Sequence, residues 1–142
     1  MAMYFECRAR YDKMCENGVV KKVTEAYLVD ALTHSEAESR FIESVTPFIS
    51  GDFEVSVVKK TKISEIFNPD SDKFYLCKAA FVTIDEKTAQ EKRSICPILV
   101  GANDFDEALQ IFKEGMKGTM ADFEVISLAE TQILEVFPAK VA

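Results

Sequence analysis

The sequence predicts an α+β fold in which one strand-strand-helix-strand unit occurs twice. The stretch 28–67 returns as 99–137, at a shift of about seventy residues, and the tetrapeptide Asp-Phe-Glu-Val occurs once in each copy. Each copy opens with two segments of alternating or β-branched residues, which are typical of strands. An amphipathic segment with a helix-capping pattern follows, and each copy ends on a further strand-like run.

This duplication predicts a single domain, residues 1–142, which contains a first repeat, 1–70, and a second repeat, 71–142. We expect six long, mostly antiparallel strands and two helices with pseudo-twofold symmetry. A lone unit would expose its sheet edges to pairing with other molecules, and joining two units removes that exposure. The boundary falls at Asn68-Pro69-Asp70-Ser71-Asp72, which is the strongest turn signal in the chain.

The first repeat is expected to contain a hairpin, a helix and a third strand. Asn17-Gly18 accepts positive φ angles and therefore favours a tight hairpin turn. Thr33-x-x-Glu36 is a capping box, in which the threonine hydroxyl accepts a hydrogen bond from the third helical amide. The predicted elements are strands over 3–15 and 19–31, a helix from Thr33 that Pro47 ends or bends, and a strand from Phe53 to about Ile66.

The second repeat has the same order of elements. Asp104-x-x-Glu107 stands where the first capping box stood, and Gly118 is a typical helix stop. The predicted elements are strands over 73–84 and 92–102, a helix after Asp104, and a strand from Phe123 to Phe137.

Composition places the chain among globular proteins. Hydrophobic residues make up 48% of the 142 residues, and a net charge of −7 argues against tight binding to nucleic acid or anionic membranes by the molecule as a whole. We find no signal peptide and no apolar run long enough for a membrane helix, so we expect a cytoplasmic protein without membrane contact.

The four cysteines form no CxxC pair and have no histidine within ligand spacing, so we predict no metal site. Cys7 and Cys77 occupy equivalent positions in the two repeats, which favours buried thiols over a disulfide. Cys15 adjoins the hairpin turn and Cys96 precedes a proline, and we expect Cys15 to be the more exposed of these two.

No residue pattern predicts catalysis. His34 is the only histidine, and its counterpart in the second repeat is Phe105, which favours a packing or surface position. The repeated carboxylates are explained by helix caps and by turns before strands. No glycine-rich phosphate loop or other nucleotide-binding motif occurs, so we predict no cofactor.

The two repeats differ most in their basic residues. Three lysines near the end of the first repeat are Ala, Glu and Gln in the second. On one face, beside Tyr4 or Tyr27, basic side chains can follow a phosphate backbone while an aromatic ring stacks on a base. The alternative is that these lysines are solvated, or that they prevent an edge strand from pairing with another molecule. The predicted binding residues are Arg8, Arg10, Lys21, Lys22, Lys59, Lys60 and Lys62.

Three stretches carry a family resemblance: the opening MxYFECRxRYDK-like strand, YLVDALTxxEAE, and the two DFEV segments. They resemble an uncharacterised family of short proteins from bacteria and their phages, known only as a domain of unknown function. The resemblance covers nearly the whole chain and implies no activity and no functional residues. It implies a phage or mobile-element setting, which favours a nucleic-acid or replication-accessory role.

We therefore predict a non-enzymatic binding module whose partner is single-stranded nucleic acid or another protein, contacted through the basic sheet face of the first repeat. The alternative is a small-ligand binder or enzyme with a pocket at the junction of the repeats, near Cys7 and Cys77. A homodimer through the sheet edges is a third interpretation. Reversing the charges of Lys59, Lys60 and Lys62 separates the first two, because only the first predicts loss of binding.

Overall fold

The computed structural model describes residues 3–49, 51–118 and 122–137, and these form two helices and eight strands in two four-stranded sheets. The fold is therefore α+β, as the sequence predicts. Neither helix in these ranges is long and apolar enough to cross a membrane. The elements are β1 (Tyr4–Met14), β2 (Val20–Asp30), α1 (His34–Val45), β3 (Phe53–Lys60), β4 (Glu65–Phe67), β5 (Phe74–Ile84), β6 (Glu91–Gly101), α2 (Phe105–Gly115), β7 (Asp122–Glu130) and β8 (Ile133–Phe137).

The predicted first hairpin is confirmed, and its turn has three residues. The Cys15 amide donates to the Val19 carbonyl at 2.8 Å, so residues 16–18 form the loop. Gly18 closes it with a φ of +79°, a conformation that a side chain disfavours. A three-residue loop that ends on a left-handed residue is a common hairpin connection.

Both helices begin where the sequence predicts. The Thr33 hydroxyl accepts a hydrogen bond from the Glu36 amide at 3.1 Å, and the Asp104 carboxylate accepts one from the Glu107 amide at 2.8 Å. These caps satisfy amides that have no partner within the helix. Helix α1 ends before Pro47, which lies in a single 3-10 turn, Thr46–Phe48.

The chain divides into two compact units. The first contains the described residues up to Thr61 and those from Gln132 to Phe137. Its strand order is β3-β1-β2-β8, with β1 antiparallel to β2 and β3, and with β8 parallel to β2. Helix α1 packs on one face of this sheet, which we call its helix face. The core there includes Phe5, Cys7, Tyr27, Val29, Phe41 and Phe137.

The second unit, Lys62–Thr131, has the strand order β4-β6-β5-β7. Strand β5 is antiparallel to β6 and β7, and β4 is parallel to β6. Helix α2 contacts all four strands of its own sheet. The core of this unit includes Tyr75, Cys77, Ile98, Val100 and Phe112.

The prediction of six long strands is wrong, because two of the predicted strands each break in two. The first break follows Lys60, where Thr61 donates from its amide (2.9 Å) and its hydroxyl (2.8 Å) to the Tyr4 carbonyl. The second follows Glu130, where Thr131 donates twice to the Phe74 carbonyl, each time at 2.9 Å. Each threonine ends one ladder, and the chain continues into a different sheet.

The two short strands that follow these breaks, β4 and β8, are exchanged: each joins the sheet formed by the other half of the sequence. Strand β4 follows the three long strands of the first unit but pairs with β6, and β8 follows those of the second unit but pairs with β2. Each sheet is therefore completed by a strand from the other half of the sequence. The division into repeats 1–70 and 71–142, and their pseudo-twofold symmetry, stay predictions.

Strands β3 and β7 are sheet edges, and each carries a bulge. Ser56 in β3 and Ile126 in β7 are skipped in the pairing register with β1 and β5. A bulge twists an edge strand and hinders pairing with another molecule. A homodimer through these edges stays a prediction.

Candidate functional site

The outer end of the first hairpin extends past both neighbouring strands. Strand β3 pairs with β1 only as far as Tyr11, and β8 pairs with β2 only from Ala26. Residues 12–22 therefore form a two-stranded ribbon closed by the turn, which we call the hairpin arm. It carries Lys13, Lys21 and Lys22 together with two acidic residues, Asp12 and Glu16.

Two lysines lie directly opposite each other on this arm. The register pairs Lys13 with Lys21, and both side chains are on the helix face of the sheet, with Tyr11 and Glu25. Glu25 is 3.9 Å from the Lys13 ammonium group, whereas Lys21 and Lys22 form no ion pair within the described part of the chain. Like charges directly opposite in a sheet destabilise it, and Glu25 offsets only one of the two, so the two lysines and Glu25 together carry a net positive charge.

A groove of about 240 Å³ lies beside Lys13, one member of this lysine pair. Phe48 forms one wall and is 65% exposed, although it is a large apolar ring. Met14, 74% exposed, forms another. The remaining lining residues are Tyr11, Asp12 and Lys13. The groove thus combines an accessible aromatic ring with an ammonium group, and we call it the Phe48 groove.

A second groove, of about 270 Å³, lies where the arm meets the start of β3. It combines two basic side chains and two aromatic rings with three carboxylates, so its charged side chains sum to −1. We call it the Arg10 groove. Its lining residues are Arg10, Tyr11, Asp12, Lys22, Asp52, Phe53 and Glu54.

Tyr11 is held in place between the two grooves. Its hydroxyl donates a hydrogen bond to the Glu25 carboxylate, and Tyr27 donates to the same oxygen at 3.5 Å. Burial raises the pKa of Tyr11 above its usual value, and the bond to Glu25 and the nearby carboxylate charge add to the rise. The hydroxyl therefore stays protonated and keeps Glu25 close to Lys13.

The corresponding hairpin of the second unit lacks the opposed lysines. The register pairs Thr83 with Lys92, and Lys92 is 4.0 Å from Asp85. Arg93 is paired with Glu124 at 2.8 Å. Lys92 and Arg93 thus each have an acidic partner, which makes the second hairpin a control for the first.

The structure divides the predicted basic residues between the two sheet faces. Arg8, Arg10 and Lys22 lie on the face opposite α1, where the register also places Lys59 opposite Glu6. Lys21 and Lys60 lie on the helix face, at opposite ends of the sheet. Arg8 forms an ion pair with Glu6 at 3.3 Å. Lys62 is exposed and belongs to the second unit.

Two contributors to the grooves were missed by sequence reasoning. Lys13 becomes prominent only through its register opposite Lys21. Phe48 lies beyond the helix end, in the 3-10 turn Thr46–Phe48. An apolar residue directly after Pro47 was the only signal that could have placed it outside the core.

The side chains considered for chemistry are inaccessible or isolated. His34 is exposed, and its ring packs edge-on against Phe5 with centroids 5.0 Å apart. No cluster of His, Cys, Asp and Glu within residues 3–49, 51–118 and 122–137 could hold a metal ion.

The two equivalent cysteines are fully buried, as predicted. Burial, followed by the charges of Glu38 and Glu6, raises the pKa of Cys7 to about 12, and burial raises that of Cys77 to about 11. Both thiols therefore stay protonated at neutral pH and are closed to ligands in solution. Cys15 and Cys96 are both partly exposed.

Comparison with known proteins places the chain in a family without naming an activity. No curated protein and no solved structure matches it. One family model matches residues 3–139, which is nearly the whole chain. The chain therefore belongs to the family described as a domain of unknown function, DUF4494.

Proposed function

We propose that this protein is a non-enzymatic binding module and that its hairpin arm binds single-stranded nucleic acid. The observation that carries the proposal is the direct opposition of Lys13 and Lys21, of which Lys13 lines the same groove as the exposed ring of Phe48. A phosphate between the two ammonium groups would relieve their repulsion. A base stacked on Phe48 would cover the part of its ring that is still exposed beside Phe137.

The Phe48 groove suits a nucleotide better than the Arg10 groove does. Three carboxylates line the Arg10 groove, and they repel phosphate. The Phe48 groove is lined by one carboxylate, that of Asp12, which the register pairs with Lys22. We therefore propose that the nucleic-acid strand passes along the helix face of the arm. Arg10 and Lys22 contribute positive charge from the opposite face.

Single-stranded nucleic acid suits this site for two reasons. Stacking on Phe48 needs an unpaired base, which a duplex does not offer. The net charge of −7 repels a polyanion from most of the molecule, so attraction must be local and short in range. A flexible single strand can touch the arm and avoid the acidic surface.

Three further statements belong to this proposal. We propose that the chain arose by tandem duplication, which the matching strand orders and the equivalent threonine contacts support. A role as an accessory protein of phages or other mobile elements rests on the sequence resemblance. The same setting suggests the cytoplasm as its location.

The test is binding of the purified full chain to labelled single-stranded DNA and RNA, measured by fluorescence anisotropy across a salt series. We expect affinity to fall as salt rises. The variant K13E/K21E should bind at least roughly tenfold more weakly, with a salt slope smaller by about 0.7, because the one phosphate held between the two lysines is lost. Phe48→Ala should weaken binding without changing the salt slope, because stacking releases no counterions.

Two further variants show whether the hairpin arm itself is responsible for the binding of nucleic acid. K87E/K92E makes the same charge change on the second hairpin, and it should bind like the unchanged protein. K59E/K60E/K62E tests the lysines near the end of β3, and we expect a smaller loss than for the arm variant. Equal losses in the two hairpin variants, or no binding at low salt, would refute the proposal and favour a protein partner.

A further inference from the structure

The two exchanged strands carry one pattern. Strand β8 and the segment that ends in β4 both read Ile-x-Glu-[Ile/Val]-Phe, at 133–137 and 63–67. They dock in the same register, since the Glu is opposite Tyr27 or Ile98 and the last two residues are opposite a Leu-Val pair. The matching pairs are Val136 with Leu28, Phe137 with Val29, Ile66 with Leu99, and Phe67 with Val100.

The terminal Phe anchors each strand by packing against its unit, and the residues that it contacts differ between the two units. Phe137 stacks on Tyr27, with centroids 5.3 Å apart and an interplanar angle of 11°. Phe67 lies 6.3 Å from Phe112 and so close to Gly115 that an added Cβ there would be 2.7 Å from its ring. The β2 edge and the β6 edge thus each bind the same strand pattern, and an aromatic ring packs against the terminal Phe in each unit.

Docking of β8 is separable from the rest of the first unit. Strand β2 is the one strand with which β8 pairs in the described part of the chain, and the connection from β7 is only Thr131 and Gln132. The acceptor therefore recognises a short extended segment that arrives from a distant part of the sequence. Parallel addition of such a segment to an exposed strand is a known mode of peptide recognition.

We propose that the β2 edge of the first unit is a strand-acceptor site that also takes β8 from a second copy of this chain. In the single chain, the short connection keeps β8 at a high effective concentration near β2. When that connection cannot reach, the same contacts form between two chains, which is exchange of an identical element. The proposed partner is a second copy of this chain, because its β8 carries the same Ile-x-Glu-[Ile/Val]-Phe segment that the β2 edge binds within one chain.

The first test changes the connection and leaves the docking surfaces unaltered. Deleting Gln132 from the full chain shortens the link by about 3.5 Å, and a strained hinge favours exchange. We expect sedimentation equilibrium to give twice the monomer mass. The control inserts two glycines after Gln132 and should sediment as a monomer. Monomer mass for the deletion variant, with an unchanged circular dichroism spectrum, would overturn the proposal.

The second test keeps the proposal falsifiable if the deletion prevents folding. Full-length Phe137→Asp loses the anchor of its own β8, so its β2 edge should bind a labelled peptide of residues 131–137. Binding should be at least tenfold tighter than to the unchanged chain, whose acceptor is occupied. A peptide of residues 61–67 should compete, and a 131–137 peptide with the same Phe137→Asp change should not. Equal competition by the unchanged and the Phe137→Asp forms of the 131–137 peptide, or no binding of the labelled peptide to a folded variant, would refute the acceptor site.

Discussion

Replacing Phe137 with alanine tests the exchanged strand more directly than any other single change. Phe137 is only 9% exposed, and its ring lies 5.3 Å from Tyr27 and 6.5 Å from Phe48. Phe-to-Ala changes in cores cost about 3–5 kcal/mol. Because β8 is a short strand at one edge of its sheet, the site can partly relax. We therefore expect a loss of about 3 kcal/mol in the free energy of unfolding.

Urea unfolding followed by tyrosine fluorescence suits this measurement. The chain has no tryptophan, and Tyr4, Tyr11 and Tyr27 lie in the first unit, so tyrosine emission reports mainly on that unit. Circular dichroism reports on both units. The m value should stay within error of the unchanged protein if the variant unfolds in one step.

Leu134→Ala is the matched control, because Leu134 lies on the same strand and is 43% exposed. Exposed positions change stability little, so we expect a loss of about 0.5 kcal/mol. If Phe137→Ala costs no more than this control, then β8 does not dock on β2. The sequence-based expectation of one continuous last strand would then be the better description.

Three further changes test separate parts of the fold by the same urea method. Gly101→Ala would place a Cβ 2.0 Å from the Asn68 carbonyl oxygen, and overpacking against backbone predicts a loss of about 3 kcal/mol; a loss below 1 kcal/mol would contradict this packing. Thr33→Ala removes the hydrogen bond from the Glu36 amide and should cost about 1 kcal/mol, whereas an unchanged midpoint would show that the cap is dispensable. Burial raises the pKa of Cys7 from 9.0 to about 12, so above pH 9 the unfolded thiol ionises while the folded one stays protonated, and stability falls as pH rises. Cys7→Ala should therefore make the loss of stability between pH 9 and 11 shallower by about 1.4 kcal/mol per pH unit, and parallel curves would refute the assignment.

Local patterns in the sequence were enough to predict most of the elements. The caps at Thr33 and Asp104, the glycine at position 18 and the alternation of apolar residues each depend on neighbours within a few positions. The α+β class followed from the same short-range signals, whereas the burial of the Cys7 and Cys77 thiols followed from their equivalent positions in the two repeats. Such signals are reliable because the physical cause lies inside the window that is being examined.

The candidate site was predictable only in part, because it depends on register. Lys21 and Lys22 were singled out from their charge, but Lys13 was not. A two-residue turn at Asn17-Gly18 would have placed Lys22 opposite Lys13, whereas the three-residue loop places Lys21 there. A shift of one residue changes which side chains share a face, and turn length alone decides it.

The sequence by itself determined the repeated pattern, the helix starts, the hairpins and the apolar positions that became the cores, because these are properties of short segments. Only the tertiary structure decided that the strands break at Thr61 and Thr131 and that β4 and β8 are exchanged between the sheets. The segments 53–66 and 123–137 read as continuous strands, and nothing local distinguishes a strand that continues from one that moves to another sheet. The choice rests on which edge offers a site for Phe67 or Phe137, and that edge is formed by residues far away in the sequence.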